Sequence, residues 1–251
     1  DLIQLWDEAS QTFDTLAWYG AAPGDHWDIP HFPAPGRFDV LDTGTAVVAG
    51  VPLRYLVVEE PVVMGVVDTL WERIGREPSG NAFNSLLQLE NEQGKPRNPF
   101  INAGALCVAD RLVSAHIQPA QAFADLGLRL HGKPFVFDDE VARSERETGF
   151  RNAALINFIK SFKQIDNDVE TVLDLYCRQC AIVSDCVQLA RSFSYLANAG
   201  VQPGTGETIL SSEQARRVNS VMLTCGTYDA AGEFAFKVGL PCKSELAGCV
   251  V

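Results

Sequence analysis

The amino-acid sequence predicts an α/β domain in which helices pack on an antiparallel sheet. Two observations carry this. Strand-like stretches lie towards both ends of the chain, at residues 38–58 and 233–238, and the long middle part repeats its apolar residues with helical spacing. A third observation sets the size. With 251 residues and 47% hydrophobic content, the chain can bury one large core, or a core plus a helical subdomain.

Each element follows from local pattern. Residues 1–20 read as a helix around Leu2, Leu5, Ala9, Phe13 and Leu16. Pro23, Gly24, Pro30, Pro33, Pro35 and Gly36 then mark a loop. Residues 38–41 and 45–48 flank Asp42, Thr43 and Gly44, a hairpin signal, and residues 53–58 form a β-prone run stopped near Pro61. From Val66 onward helices dominate. Residues 102–114 form one, and Pro119 opens another through Phe123 and Leu126. Residues 151–162 place Leu155, Phe158, Ile159 and Phe162 on one face. Asp168 is an N-cap for a stripe of Val169, Val172, Leu173, Tyr176, Cys177 and Cys180. Ser184 or Asp185 caps the next helix, which ends at Gly200. Ser211 and Gln214 make a capping box for a helix running toward Gly226. Phe234, Phe236 and Val238 alternate as in a half-buried strand, and residues 249–251 begin a partner for it. The sequence contains neither internal repeat nor low-complexity segment.

Composition narrows the function classes. There are 32 acidic against 20 basic residues, a net charge of −12, and no basic run, so nucleic acid is not expected as a partner. No stretch approaches the ~18 apolar residues of a membrane span, so no membrane partner is expected either. The first residues lack the basic and apolar regions of a signal peptide. Seven cysteines in a chain of this size read as packing residues in a reducing compartment, so a cytoplasmic location is expected.

Four familiar motifs are set aside. Residues 127–133 match the first seven places of a phosphate-binding loop, but Pro134 stands where the magnesium-binding hydroxyl belongs. Cys177, Cys180 and Cys186 suggest a metal site, yet two of them lie on the apolar stripe and the four histidines have no ligand spacing. Neither Gly-x-Ser-x-Gly nor His-Glu-x-x-His occurs.

Another set of stretches places Asn, Glu and Tyr beside glycines and helix starts, where polar groups can converge on a small ligand. They are residues 75–85, 97–105, 142–145 with 151–152, 173–180, 222–228 and 232–244. In this order, from about residue 70 to 244, they resemble the bacterial serine-dependent glutaminase family, which shares its fold with serine β-lactamases and penicillin-binding proteins. The resemblance implies a single glutaminase-like domain over 1–251, with residues 1–69 adding strands to the same sheet. It implies hydrolysis of the side-chain amide of L-glutamine to glutamate and ammonia through an acyl-enzyme. No cofactor and no metal are expected, and a homo-oligomer, dimer or tetramer, is. The family's substrate residues fall on Asn102, Glu145, Asn152, Tyr176 and Tyr228. Glu145 can pair with the α-ammonium of glutamine, and the two asparagines can meet its carboxylate and amide. Tyr176, in the family's proton-transfer role, and Lys243, at the pocket edge beside Ser244, are the catalytic candidates; Leu246 stands where a backbone N–H would serve as oxyanion donor. Plain structural alternatives exist for each: Asn102 as a helix cap, Glu145 and Asn152 as solvated helix ends, Tyr176 as core, Tyr228 as a turn residue.

The pattern breaks in two places. Family enzymes carry Ser-x-x-Lys, in which the serine attacks the amide and the lysine takes its proton. No serine in this sequence is followed by lysine three residues on; one alignment puts Val57 and Glu60 at those positions. After Ser244 the glycine-rich turn is replaced by Glu245, Leu246 and Ala247, and the sequence runs out at Val251 with the expected sheet incomplete. The alternatives to a working glutaminase are therefore a member that binds glutamine or acts as a scaffold without turnover, and, with least support, a β-lactam-binding serine enzyme.

Overall fold

The computed structural model describes residues 2–7, 12–18, 26–29, 36–42, 45–46, 66–79 and 86–244, with side chains from residue 70 onward. The first described part is antiparallel β-structure. Strands β1 (Leu2–Asp7) and β2 (Thr12–Trp18) pair with each other, with a register shift between Ile3 and Gln4. Strands β3 (His26–Ile29), β4 (Gly36–Asp42) and β5 (Thr45–Ala46) form a second sheet in that order. The hairpin predicted at residues 42–44 is thus present as β4 and β5. The helix expected over residues 1–20 is not. That segment is rich in β-branched and aromatic residues such as Ile3, Trp6, Thr12, Phe13 and Trp18, whose strand preference outweighs a five-residue apolar pattern. The β-prone run 53–58 and residues 249–251 lie outside the described residues.

From Val66 the structure is helical. Helices α1 (Val66–Arg73), α2 (Leu86–Asn91), α3 (Asn102–Ala115) and α4 (Pro119–His131) come first. A short strand β6 (Val136–Phe137) leads to α5 (Asp139–Thr148), α6 (Phe150–Ser161) and α7 (Val169–Gln179). Strand β7 (Ile182–Val183) pairs antiparallel with β6, and α8 (Cys186–Ala197), α9 (Ser212–Cys225) and α10 (Ala231–Lys237) complete the order. The caps follow the sequence signals. Asp168 accepts from Thr171 N, Asp185 rather than Ser184 caps α8 with a capping box, and Ser211 with Gln214 caps α9. Helix α8 stops at Ala197, short of Gly200, whose φ of +91° turns the chain away. No described helix is long and apolar enough to cross a membrane.

The strand expected over residues 233–238 is helix α10. Glu233 and Lys237 sit one turn apart and form an ion pair of 3.1 Å. Phe234 and Val238 are partly covered, whereas Phe236, between them, is 88% exposed. Three alternating apolar residues are too few to separate period 2 from period 3.6, and here the i, i+4 pairing decides.

Helix α3 is the centre of the helical body. Nearly every residue from Ala103 to Asp110 is buried, and α1, α4, α6 and α7 pack round it. Its one buried acid, Asp110, is fully inaccessible. The Asp110 carboxylate accepts from the backbone N–H groups of Asp166 (3.1 Å) and Asn167 (2.9 Å) and from Asn167 Nδ2 (2.8 Å). Asp166 in turn bridges Arg73 of α1 (3.1 Å) and Arg111 of α3 (2.5 Å). The turn that launches α7 is therefore fastened to α3 by one buried carboxylate that accepts from its partly covered donors.

Two outcomes follow. Asp110→Ala should lower the unfolding free energy by roughly 2–3 kcal/mol, read by denaturant melts, since it removes several hydrogen bonds to one charged group. Asp166 responds to acid. Partial burial works against its charge, but Arg73 and Arg111 hold its carboxyl below the usual carboxylate range. A depressed folded value means that its contribution is present above about pH 4 and is lost as the pH falls through the lower folded value. Asp166→Asn should therefore reduce Tm most near neutrality, and the gap to the wild-type chain should close on acidification.

Candidate active site

The candidate residues start at the first turns of two helices. Helix α3 begins after Ile101 and α6 begins after Gly149, and neither has a capping side chain or an acidic residue in its first turn. Asn102 is the first residue of α3. Instead of capping its own helix, its Nδ2 donates to Oδ1 of Asn152 in the first turn of α6, at 3.0 Å. Two positive helix ends thus meet at one amide–amide contact, a setting that favours a carboxylate. Close backbone approach explains two glycines here. A Cβ on Gly104 would lie 2.0 Å from the Asn98 carbonyl, so the 98–101 turn folds tightly onto α3 and sets the position of Asn102. A Cβ on Gly149 would lie 2.4 Å from the Glu145 carbonyl and 4.0 Å from Asn152 Nδ2, so Gly149 is the corner that brings the end of α5 beside the start of α6.

Glu145 is partly buried near that corner, and α5 packs on α7. Helix α7 carries Tyr176, which is 3% exposed. The Tyr176 phenol is pushed well above its ordinary range. Burial is the largest cause, followed by the neighbouring Cys180 and then by the Glu145 carboxylate. Tyr176 is therefore a neutral phenol at physiological pH. The cation that a phenol needs in order to act as a base stands beside the other tyrosine.

That other tyrosine is Tyr228, in a single turn of 3-10 helix after α9. Its φ of +56° lies in the left-handed region, rare for a large side chain and found where a site dictates the backbone. Lys243 Nζ donates to Tyr228 Oη at 3.1 Å and lies 4.5 Å from the ring centroid. It also donates to the Ser244 carbonyl. Lys243 is only 2% exposed, which is unusual for a lysine and marks it as a placed charge. The placement comes from the close seating of residues 242–244 against the end of α9. Ser244 N donates to the Gly226 carbonyl at 3.1 Å, and a Cβ on Gly226 would lie 1.8 Å from the Cys242 carbonyl.

The fold thus delivers the candidates as two groups. Asn102, Asn152, Glu145 and Tyr176 form one run around the α5–α6 corner; Tyr228 and Lys243 form the other. Leu246, like Val57 and Glu60, lies outside the described residues. Sequence reading passed over two participants. Cys180 stands one turn after Tyr176 and contributes to the upward shift of its phenol, and the i, i+4 spacing was the available signal. Asp110 seats α7, and a lone acid inside an otherwise apolar helix was its signal. The other cysteine of the pair, Cys177, is a buried thiol pushed up to about 11, first by desolvation, so the packing role expected of it fits. Among the described residues no cluster of three or more His, Cys, Asp or Glu is arranged to hold a metal ion.

Comparison with known proteins identifies the family. The family model described as Glutaminase matches residues 56–251. A glutaminase of Methylobacterium radiotolerans is 51% identical over 196 residues, which is 76% of this chain and 63% of that protein. A glutaminase of Paraburkholderia phytofirmans is 52% identical over 185 residues, 73% of this chain and 61% of its own length. Among solved structures, a probable glutaminase of Bacillus subtilis superposes with a TM-score of 0.69 at 37% identity, covering 73% of this chain and 60% of that one. The native form of Mglu gives 0.68 at 33% identity, covering 82% and 52%. The chain belongs to the glutaminase family. It spans a little over three fifths of the length of the curated relatives it matches.

One structural prediction concerns the second group. Gly226→Ala should push the 242–244 segment off α9 and separate Lys243 from Tyr228. A stability loss of about 1–3 kcal/mol is expected in denaturant melts, as for other overpacked contacts.

Proposed function

We propose that the protein is a glutaminase whose described residues supply the recognition half of the site for L-glutamine. The reaction is hydrolysis of the side-chain amide, giving L-glutamate and ammonia. The observation that carries this is the contact between Asn102 and Asn152 at two uncapped helix starts, with the Glu145 carboxylate near the same corner. Glutamine is a zwitterion with one neutral amide. A carboxylate suits the helix ends and the asparagine amides; an ammonium suits Glu145. A site that pairs every polar end rejects analogues lacking one of them. In this reading Tyr176 closes the pocket as a neutral phenol, while Lys243 and the Tyr228 hydroxyl it donates to form the pair that handles protons. The glutaminase membership and the helical body support a serine β-lactamase-like arrangement of the domain.

A second reading has its own observation. The 251 residues hold no Ser-x-x-Lys, so the acyl-enzyme route lacks its nucleophile at the family's spacing. The chain then binds glutamine without efficient turnover. Loss of a nucleophile typically costs about 10⁴–10⁶ in kcat.

Two measurements on the same preparation separate these readings. Ammonia release from L-glutamine that disappears in Tyr228→Phe supports catalysis by this chain. A glutamine-dependent rise in Tm without ammonia supports binding alone; at a hundredfold excess over Kd the added stability is about 2.7 kcal/mol. Asn102→Ala should remove most of that rise while leaving the ligand-free Tm nearly unchanged, because Asn102 is not used as a cap. No rise and no ammonia would overturn both readings.

A further inference from the structure

Asn98 has no access to solvent, and both ends of its amide are used. Its Nδ2 donates to the Glu77 carbonyl at 2.9 Å, and its Oδ1 accepts from Phe100 N at 3.0 Å. The first bond joins two stretches that already run side by side. Gly75 N donates to the Pro96 carbonyl at 2.7 Å, Glu77 N to the Arg97 carbonyl at 2.9 Å, and the Arg97 guanidinium to the Pro78 carbonyl at 3.0 Å. The second bond closes an asparagine turn over Pro99, whose ring fixes φ in the middle of that turn. The Asn98 carbonyl is also the group on which Gly104 of α3 is seated. One residue therefore ties together the stretch after α1, the turn before α3 and the first turn of α3 itself.

This frame holds out one side chain. From Asn98 to Asp110 every residue is buried except Asn102, which is half-buried. The contact with Asn152 takes one N–H of the Asn102 amide. The other N–H of Asn102, and both of Asn152, have no acceptor among the described residues and can meet a ligand's oxygens. Such a set works only while the start of α3 keeps one position against α6, because hydrogen bonds weaken steeply as their angle drifts. The buried neighbours Pro99, Phe100 and Ile101 hold the turn by apolar contact, which has no direction. The bond from Phe100 N to Asn98 supplies the direction. We propose that Asn98 is a positioning residue: by closing the 98–100 turn it fixes the start of α3 and so aims the Asn102 amide at a ligand carboxylate. The ligand rests on the glutamine reading above; the turn and the asparagine contact do not.

The test uses Asn98→Ala and Asn98→Ser with two probes, L-glutamine and the same molecule without its α-carboxylate, 4-aminobutanamide. Both variants lose the bond to Glu77, but only serine keeps an oxygen that can accept from the N–H two residues on. The difference between them therefore isolates the turn from general stability. In calorimetric titrations Asn98→Ala should weaken L-glutamine about fivefold to tenfold, the worth of one hydrogen bond, and leave the carboxylate-free probe unchanged. Asn98→Ser should bind L-glutamine to within about twofold of the wild-type chain. Equal weakening of both probes, no weakening, or no rescue by serine would overturn the proposal. If Asn98→Ala does not fold, Pro99→Ala takes its place: loosening the same turn should weaken L-glutamine alone by about twofold or more, and no loss, or an equal loss for both probes, would overturn the proposal. If the wild-type chain does not bind L-glutamine, the glutamine reading fails; in that case, or if only the carboxylate-free probe gives no signal, Asn98 is judged on the ligand-free protein. There the Asn102 side-chain amide resonances, identified by their loss in Asn102→Ala, should move in the alanine variant of Asn98 or Pro99 and stay in place in Asn98→Ser. Resonances that stay in place in the alanine variant would overturn the proposal.

Discussion

The structure depends on one buried charge. Asp110 has no access to solvent, and its carboxylate is surrounded by N–H groups of the turn at Asp166 and Asn167. A buried carboxylate without such donors is strongly disfavoured, so the turn is held where the donors converge. That turn starts α7, whose next two turns carry Tyr176, Cys177 and Cys180. The seat of the candidate pocket wall on α3 is thus decided some way from the pocket, by hydrogen bonds that a small-residue helix surface could not supply. The arginines at 73 and 111 finish the arrangement from the solvent side through Asp166.

The site itself is an arrangement of complementary ends. Two helix starts without caps and without acids meet at Asn102 and Asn152, the Glu145 carbonyl lies beside the same corner at Gly149, and a buried lysine sits on the phenol of Tyr228. This division suits a zwitterion better than any single-charge ligand. It also separates recognition from chemistry. Asn102, Glu145, Asn152, Tyr176 and Tyr228 lie in the described helical body, while one alignment puts Val57 and Glu60 at the positions of the family's nucleophile and its base. A chain can keep the first property and lose the second, because binding energy here comes from many contacts and bond-making from very few atoms.

How much of this was legible in the sequence depends on the element. Helices with caps and long apolar stripes, such as those opened by Asp168 and Ser211, were readable to within a few residues, because cap chemistry and period act locally. The hairpin at residues 42–44 was readable for the same reason. Two short amphipathic segments were misread in opposite directions. At residues 2–7 and 12–18 strand preference prevailed over an apparent helical stripe; at 231–237 the Glu233–Lys237 pair prevailed over an apparent alternation. The site residues were visible only through their joint order. Alone, Asn102 looked like a cap, and nothing local announced that its amide would reach across to Asn152, 50 residues away. Nor could spacing show that the buried cation would choose Tyr228 over Tyr176. That choice is made by the packing of Gly226 against Cys242.

The central claim is that one small amino acid occupies the space bounded by both residue groups. The most direct measurement is an experimental structure of the chain with L-glutamine or L-glutamate bound. The account predicts a single ligand with its carboxylate at the Asn102–Asn152 contact, its ammonium at Glu145 and Tyr176, and its side-chain end toward Tyr228 and Lys243. A ligand bound elsewhere on the surface, or a site in which the two groups of side chains face different cavities, would contradict it.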